Sequence, residues 1–346
     1  MPDHAVTLRD VARRAGVHPA TASRALNPET RLLVSEGTAR RIAEAAAALG
    51  YRPNAVARSL RTRRSHTIGV LIPDLNNPLF PPMVRGLEDR LAADGYVALI
   101  GNTDGRAERE RQVFEQMRAR HVDGFAVATA HRSSPLLAQA AAEGLNVVLM
   151  NRVADGTGFP SVSPDNELGA RLAVGHLIAA GHHRIAHLAG PQCLSTGQSR
   201  YQGFQAAMAD AGLAVPADRV VFARAFAIAE GRRLGAQLLA AAPGLTAIAA
   251  ANDMLAVGCY EALEEAGLSC PGDVSVVGFN DMPFIDRLRP PLTTVAFPHY
   301  QLGTEAAAML LARMSDRRPG PAPAVRLAPE LVVRGSVTAP PRPPRP

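Results

Sequence analysis

From residue 66 onward the chain repeats one pattern: a short unbroken apolar run, a turn, then a longer segment with helical periodicity. Apolar runs at 67–72, 96–100, 124–129 and 146–150 alternate with helical stretches at 79–94, 107–120 and 135–143. A second series starts with a helix at 167–180 and sets strands at 184–189, 220–222, 246–250 and 274–278, with helices between them. Short strands that are apolar on both faces and joined by helices predict parallel sheets covered on each side. Eight or so such units overfill one compact sheet of this type, so the pattern predicts two lobes. Crossings between them are expected near 161–164, 290–292 and 319–323. The body, 66–339, then divides into a first lobe of about 66–162 and 292–320 and a second of about 163–291 and 321–339. Its fold class is α/β, two doubly wound parallel-sheet lobes, carried behind a small α-helical head.

That head begins with TLRDVARRAGVHPATASRAL, residues 7–26. Leu8, Val11, Ala12 and Ala15 recur at i, i+3, i+4 and i+7, the apolar stripe of a short helix. Thr7 stands at the capping position, and Asp10 suits the positive end of the helix dipole. Gly16 breaks the helix, and Pro19 opens a second one where its missing N–H costs nothing. Ala22, Ala25 and Leu26 then face the first helix, leaving Ala20, Thr21, Arg24 and Asn27 pointing outward. Two short helices joined at a glycine describe a helix-turn-helix; a plain αα-hairpin is the alternative. A third helix, capped by Ser35 and ending at Gly50, completes a domain of residues 1–50. Residues 51–65 come next as a short basic segment too brief to be helical alone in water, a hinge or a simple tether.

Charge is unevenly shared between these parts. The whole chain carries +6, while residues 1–65 hold twelve arginines against five carboxylates, +7, so the body is close to −1. A basic head on a near-neutral body points to a polyanion as the partner of the head alone. Cys193, Cys259 and Cys270 are odd in number and lack metal spacing, which reads as reduced thiols. The histidines 176, 182, 183 and 187 straddle a helix end and a strand, and are expected to be surface and core residues, with no metal. The first residues are studded with charge and lack the apolar core of an export signal. The longest uncharged run, 234–252, is broken by Pro243-Gly244, so no membrane span is expected and the chain reads as cytoplasmic. Residues 340–346 form a Pro/Arg tail expected to be disordered.

Open α/β sheets bind ligands beyond the carboxyl ends of their strands. Residues at those ends are Phe80, Asn151, Arg200, Phe226, Asn252 and Asn280. Rings can stack on a sugar or base plane, while amides both donate to and accept from hydroxyls. Phe80 and Phe226 could instead belong to the lobe cores, and Asn252 and Asn280 could simply cap helices. Asp165 and Asn166 read as a helix cap at the lobe crossing. No Gly-rich phosphate loop, nucleophile elbow or carboxylate pair stands out, so neither catalysis nor a cofactor is expected.

Ten motifs in one order carry a further reading: TLRDVARRAGV, TASRALN, GYRPNAVARSLRT, IGVLIPDLNNPLF, DNELGA, GHHRIAHLAG, SRYQGF, ANDMLAVG, DVSVVGFND and PPLTTV. With them the chain resembles the LacI/GalR family of bacterial transcription regulators nearly end to end. The resemblance implies a helix-turn-helix head, a body of the periplasmic-binding-protein type and a near-palindromic double-stranded operator. It implies DNA contacts at Thr7, His18, Pro19, Ala20, Thr21, Ser23, Arg24, Asn27, Tyr51, Asn54, Ala57 and Leu60. Among these Arg24 would read a base, Pro19 and Ala20 hold the positions where specificity varies, and Leu60 would wedge into the minor groove. The six cleft residues match the family's effector contacts, although Asn280 replaces a common aspartate. The chain therefore reads as a repressor controlled by a small metabolite, a sugar or sugar-like molecule. The tail lacks leucine heptads that would join dimers into tetramers, which favours a homodimer. Control by a protein partner is the alternative within the family; a bare sugar-binding protein is the alternative outside it.

Overall fold

The computed structural model describes residues 6–27, 30–52, 64–315 and 322–341. They form two compact units divided between Ser65 and His66. The hinge positions Asn54, Ala57 and Leu60 lie outside the described residues, as do 316–321 and the tail from 342.

In the first unit, α1 (Leu8–Ala15), α2 (Pro19–Ala25) and α3 (Glu36–Ala48) enclose a core of Val11, Ala12, Ala22, Ala25, Ala39, Ile42, Ala45 and Ala46. Six of these eight are alanine, so the helices approach closely and the core stays small. The Asp10 carboxylate accepts from the Thr7 N–H at 3.0 Å and from its hydroxyl at 2.6 Å, closing the start of α1. Gly16 ends α1 at φ 63°, where a side chain would be strained. At α2 the His18 ring supplies the cap: Nδ1 accepts from the Ala20 N–H at 3.2 Å.

The second unit carries two parallel sheets. The first runs β11-β5-β4-β3-β1-β2, from β1 (Thr67–Ile72), β2 (Val97–Asn102), β3 (Gly124–Val127), β4 (Val147–Met150), β5 (Ser161–Pro164) and β11 (Ala324–Leu327). Its helices are α4 (Phe80–Ala93), α5 (Ala107–Ala119), α6 (Pro135–Ala142) and α11 (His299–Ser315). The second sheet runs β7-β6-β8-β9, from β6 (Ile185–Ala189), β7 (Val220–Phe222), β8 (Ala247–Ala250) and β9 (Ser275–Val277). Around it lie α7 (Asn166–Ala179), α8 (Ser195–Asp210), α9 (Ile228–Ala241) and α10 (Asp253–Glu265). A two-stranded antiparallel ribbon of β10 (Thr294–Ala296) and β12 (Glu330–Val332) completes the unit, bridged next to the second sheet at Val277↔Thr293 and Asn280↔Ala296.

Two positions differ from the sequence reading. Residues 161–164, read as a crossing, are a strand of the first sheet, and the crossing comes at once after it, into α7. The crossing placed near 319–323 falls later, because β11 pairs with β5 in register Ala324↔Ser161 and so keeps residues up to 327 in the first lobe. Helix α11 also belongs there, packed on α4 so closely that a Cβ at Gly303 would sit 1.9 Å from the Met83 carbonyl oxygen. A Cβ at Gly86 would likewise meet the Tyr300 carbonyl at 2.1 Å. Only glycine allows the two helices to lie that near.

Candidate functional site

On the head, α2 buries Ala22 and Ala25 and exposes Ala20 and Arg24. Thr7 and His18 are exposed as well, whereas Pro19, Thr21, Ser23, Asn27 and Tyr51 are half-buried. Tyr51 packs against the head core, so its ring anchors the chain leaving α3. Arg13 and Arg40 pair with Asp10 and Glu44, at 3.5 and 3.8 Å. Among the described residues the Arg24 guanidinium makes no ion pair. It stands free on an outward helix face flanked by small side chains.

Between the lobes of the body lies a cavity of about 350 Å³, a volume suited to a small metabolite. Asp74, Asn77, His131 and Arg152 line it from the first lobe, Cys193, Arg224 and Phe226 from the second. The lobes touch beside it: the Arg132 N–H donates to the Cys193 carbonyl at 2.9 Å, and the Val153 N–H to the Ser195 hydroxyl at 2.9 Å.

Arg200, on α8, is 2% exposed and held by three hydrogen bonds. Its Nε donates to Asn166 Oδ1 at 2.8 Å, Nη1 to the Ala251 carbonyl at 2.7 Å and Nη2 to Asn280 Oδ1 at 3.2 Å. Phe279 lies under the guanidinium, 3.6 Å from carbon to ring centroid, and Phe226 stands 5.9 Å away. No carboxylate pairs with Arg200, but three neutral acceptors satisfy three of its five N–H bonds. Burial pulls it down to about 9, against the charge of Asp253, and Arg152 adds to the fall. It stays a cation at neutral pH.

Asp253 is the residue the sequence reading overlooked. Wholly buried next to Asn252, it accepts from the Thr294 hydroxyl at 2.6 Å and the Met282 N–H at 2.9 Å. Burial pushes its carboxyl up to about 7, opposed by those two hydrogen bonds. It thereby ties the loop carrying Asn280 to the strand β10 at the crossing.

The other expected cleft residues divide. Of the six expected cleft residues Phe226 alone lines the cavity; Asn151, Arg200, Asn252 and Asn280 are buried outside its lining. Asn151 comes directly after β4 at φ 65°, is 3% exposed, and leaves its Oδ1 buried without a hydrogen-bond partner. Asn280 is 1% exposed with φ 120°, and its oxygen is turned to Arg200. Asn252 caps α10 by accepting from the Leu255 N–H at 3.0 Å. Phe80 is 1% exposed in the main core and does not line the cavity; as first residue of α4 its ring turns into the lobe instead. Asp165 caps α7, accepting from the Leu168 N–H at 3.0 Å.

His182 bonds to the Thr246 and Ser275 hydroxyls, at 3.0 and 3.1 Å. His187 bonds to the Ala249 carbonyl at 2.8 Å, and burial pulls it down to about 4. Among the described residues no group of three His, Cys, Asp or Glu side chains could hold a metal ion. No described helix is long and apolar enough to cross a membrane.

A helix-turn-helix head and a two-lobed body with a polar cavity between its sheets define a ligand-responsive DNA-binding regulator. Residues 7–54 match the model of bacterial regulatory proteins of the lacI family, and 174–337 match that of the periplasmic binding protein-like domain. The ribose operon repressor of Bacillus subtilis (strain 168) is 36% identical over 305 residues, 88% of this chain and 90% of its own length. A Lac repressor dimer bound to operator and the anti-inducer ONPF superposes with a TM-score of 0.83 at 28% identity, covering 96% of this chain and 99% of that one. A transcriptional regulator CelR–cellobiose complex gives a TM-score of 0.74 at 30% identity, covering 96% and 100%. The chain belongs to the lacI family of bacterial transcription regulators.

Proposed function

We propose that the protein is a cytoplasmic, homodimeric repressor, without catalytic activity, whose hold on a near-palindromic operator is set by a sugar-like metabolite in the inter-lobe cavity. The observation that carries this reading is the cavity itself together with unspent polar capacity buried next to its lining residues Arg152, Leu194 and Phe226. Asn151 Oδ1 is buried and unpartnered, as is the Thr196 hydroxyl one turn before Arg200. Two N–H bonds of Arg200 and the ring face of Phe226 add donors and a stacking surface. A sugar offers both hydroxyls and an apolar face to such a set. The relatives support the same class: one is named a ribose operon repressor and another was solved with cellobiose.

Ligand binding would favour one arrangement of the lobes over the other, and so the spacing of two heads on DNA. Arg24 would read a base edge, Thr7, His18, Ser23, Asn27 and Tyr51 would hold the backbone, and Asn54, Ala57 and Leu60 would act at the operator's centre. Electrophoretic mobility shift against genomic fragments, with and without a panel of sugars, tests this. A fragment bound at nanomolar protein and released, or tightened, by one metabolite is expected. Operator binding that no small molecule alters would hand control to a protein partner.

A further inference from the structure

Arg152 enters the cavity from the first lobe, next to Asn151, and nothing in the site so far described uses it. It is half-buried, and its Nε is buried with no hydrogen-bond partner. Among the described residues its guanidinium forms no hydrogen bond and no ion pair. The carboxylate whose charge it feels, Glu110, is turned to the Thr129 hydroxyl instead. The second cation near it is Arg200, whose charge pushes against its own.

The rest of the lining sharpens this imbalance. Asp104 is already paired with Arg109, and Asp74 accepts from the Asn76 N–H at 2.9 Å at the exposed mouth. Among the described residues the Arg224 guanidinium, on the rim of the second lobe, forms no ion pair; its backbone N–H donates to Glu230 at 2.9 Å, and that carboxylate is bridged to Arg233 at 3.0 Å. Where a carboxylate could have faced Arg200, Asn280 presents an amide whose oxygen that arginine has taken. The acids nearest the cavity are engaged by other groups or solvated, and among the described residues no carboxylate pairs with Arg152. A half-buried guanidinium with no acceptor is costly, and a neutral hydroxyl relieves only part of that cost. A carboxylate or phosphate accepts bidentately and cancels the charge as well.

We infer that the effector is an anion, a sugar-like molecule bearing a carboxylate or a phosphate, and that Arg152 is the residue that selects the charged group. The inference rests on the cavity being the effector site. Its anionic group would lie against Arg152 on the first-lobe side, with the hydroxyl-bearing skeleton towards Asn151, Phe226 and Arg200. An acid therefore bridges the lobes more firmly than the uncharged sugar of the same skeleton.

Cys193 gives a local probe, because it is exposed and lines the cavity, while Cys259 is buried and Cys270 half-buried. The full-length protein is tested against matched sets of pentoses and hexoses: the free aldose, its aldonic acid and its phosphate ester. Melting temperature and the rate of Cys193 alkylation by iodoacetamide are both read. At least one acid or phosphate should bind tenfold or more tightly than its parent aldose and slow alkylation in proportion; whether acids or phosphates lead identifies the charged group. Arg152→Met should reduce that preference to the level of the aldose, and Arg152→Lys should restore part of it. Without ligand, Arg152→Met should melt no lower than the unmodified protein, since no hydrogen bond is lost; a lower melting temperature would mark the arginine as structural and overturn the assignment. Aldoses that bind and protect as well as their acids would overturn the anion while leaving the cavity reading intact. Anion binding that survives Arg152→Met places the anion elsewhere, such as on the basic head, and also overturns it. If nothing in the panel protects Cys193, both the cavity reading and the inference fall.

Discussion

The head and the cleft use arginine in opposite ways. Arg24 stands exposed on α2 with no ion pair among the described residues, in a unit that holds twelve arginines against five carboxylates. Arg200 lies 2% exposed on α8 with three hydrogen bonds to neutral oxygens and a ring beneath it. An exposed guanidinium costs the fold nothing and waits for an external polyanion. A buried one must be satisfied before any ligand arrives, so it serves first as a brace. The difference teaches that a functional arginine cannot be assigned by position alone; what matters is how many of its N–H bonds the protein has already claimed.

Truncation at the brace should have the largest effect. Arg200→Ala leaves Asn166, Asn280 and the Ala251 carbonyl without their donor, and should destabilise the body by roughly 3–5 kcal/mol. Differential scanning calorimetry should show the main transition falling by about 6 °C or more. An unchanged transition would erase the contrast between cleft and head.

Next in size is the buried acid that holds the loop under Arg200. Asp253 is raised from 3.8 to about 7, so the folded protein keeps a proton the unfolded chain releases, and stability is lost as pH rises across that window. Relative to wild type, Asp253→Asn should therefore gain stability progressively from about pH 4 to 7, on the order of 2–4 kcal/mol, and no more above it. Urea melts at four pH values measure this; a constant difference would place the carboxyl's titration elsewhere.

Arg24→Ala should leave the melting temperature where it is and weaken operator over random DNA by roughly 1–3 kcal/mol. Equal weakening of both, in competition titrations, would make Arg24 a phosphate contact. The smallest effect belongs to His18→Ala, which removes the Nδ1 acceptor at the start of α2 and should cost the head about 1 kcal/mol. Hydrogen exchange at the amides of α2 would register it while the body's amides stay unaltered.

Most strands and helices were legible because an unbroken apolar run such as 67–72 leaves a parallel strand little alternative. β5, reading SVSP, and β10 and β12, of three residues each, were not: short, partly polar segments carry no periodicity, and their pairing is settled by distant strands. The strand-end rule led to Phe226, which lines the cavity, and to Asn151, Arg200, Asn252 and Asn280, which are buried outside its lining. It could not exclude Phe80, whose ring turns inward. Nor could it show Arg152, Asp253 and Phe279, each adjacent to a residue it did name, because the direction a neighbouring side chain takes depends on local backbone such as the φ of 65° at Asn151.

The late return of the chain to the first lobe has a consequence for birth on the ribosome. The edge strand β11 and the helix α11, which complete that lobe, are made after every strand of the second sheet. The second lobe's four strands, β6 to β9, emerge as one contiguous stretch and can pair as soon as residue 277 is out. The first lobe must wait until residue 327, with the α4 face that receives α11 uncovered meanwhile. The half of the body made first thus stays incomplete until the second sheet has been made, and the nascent chain holds an exposed apolar surface for as long as that takes.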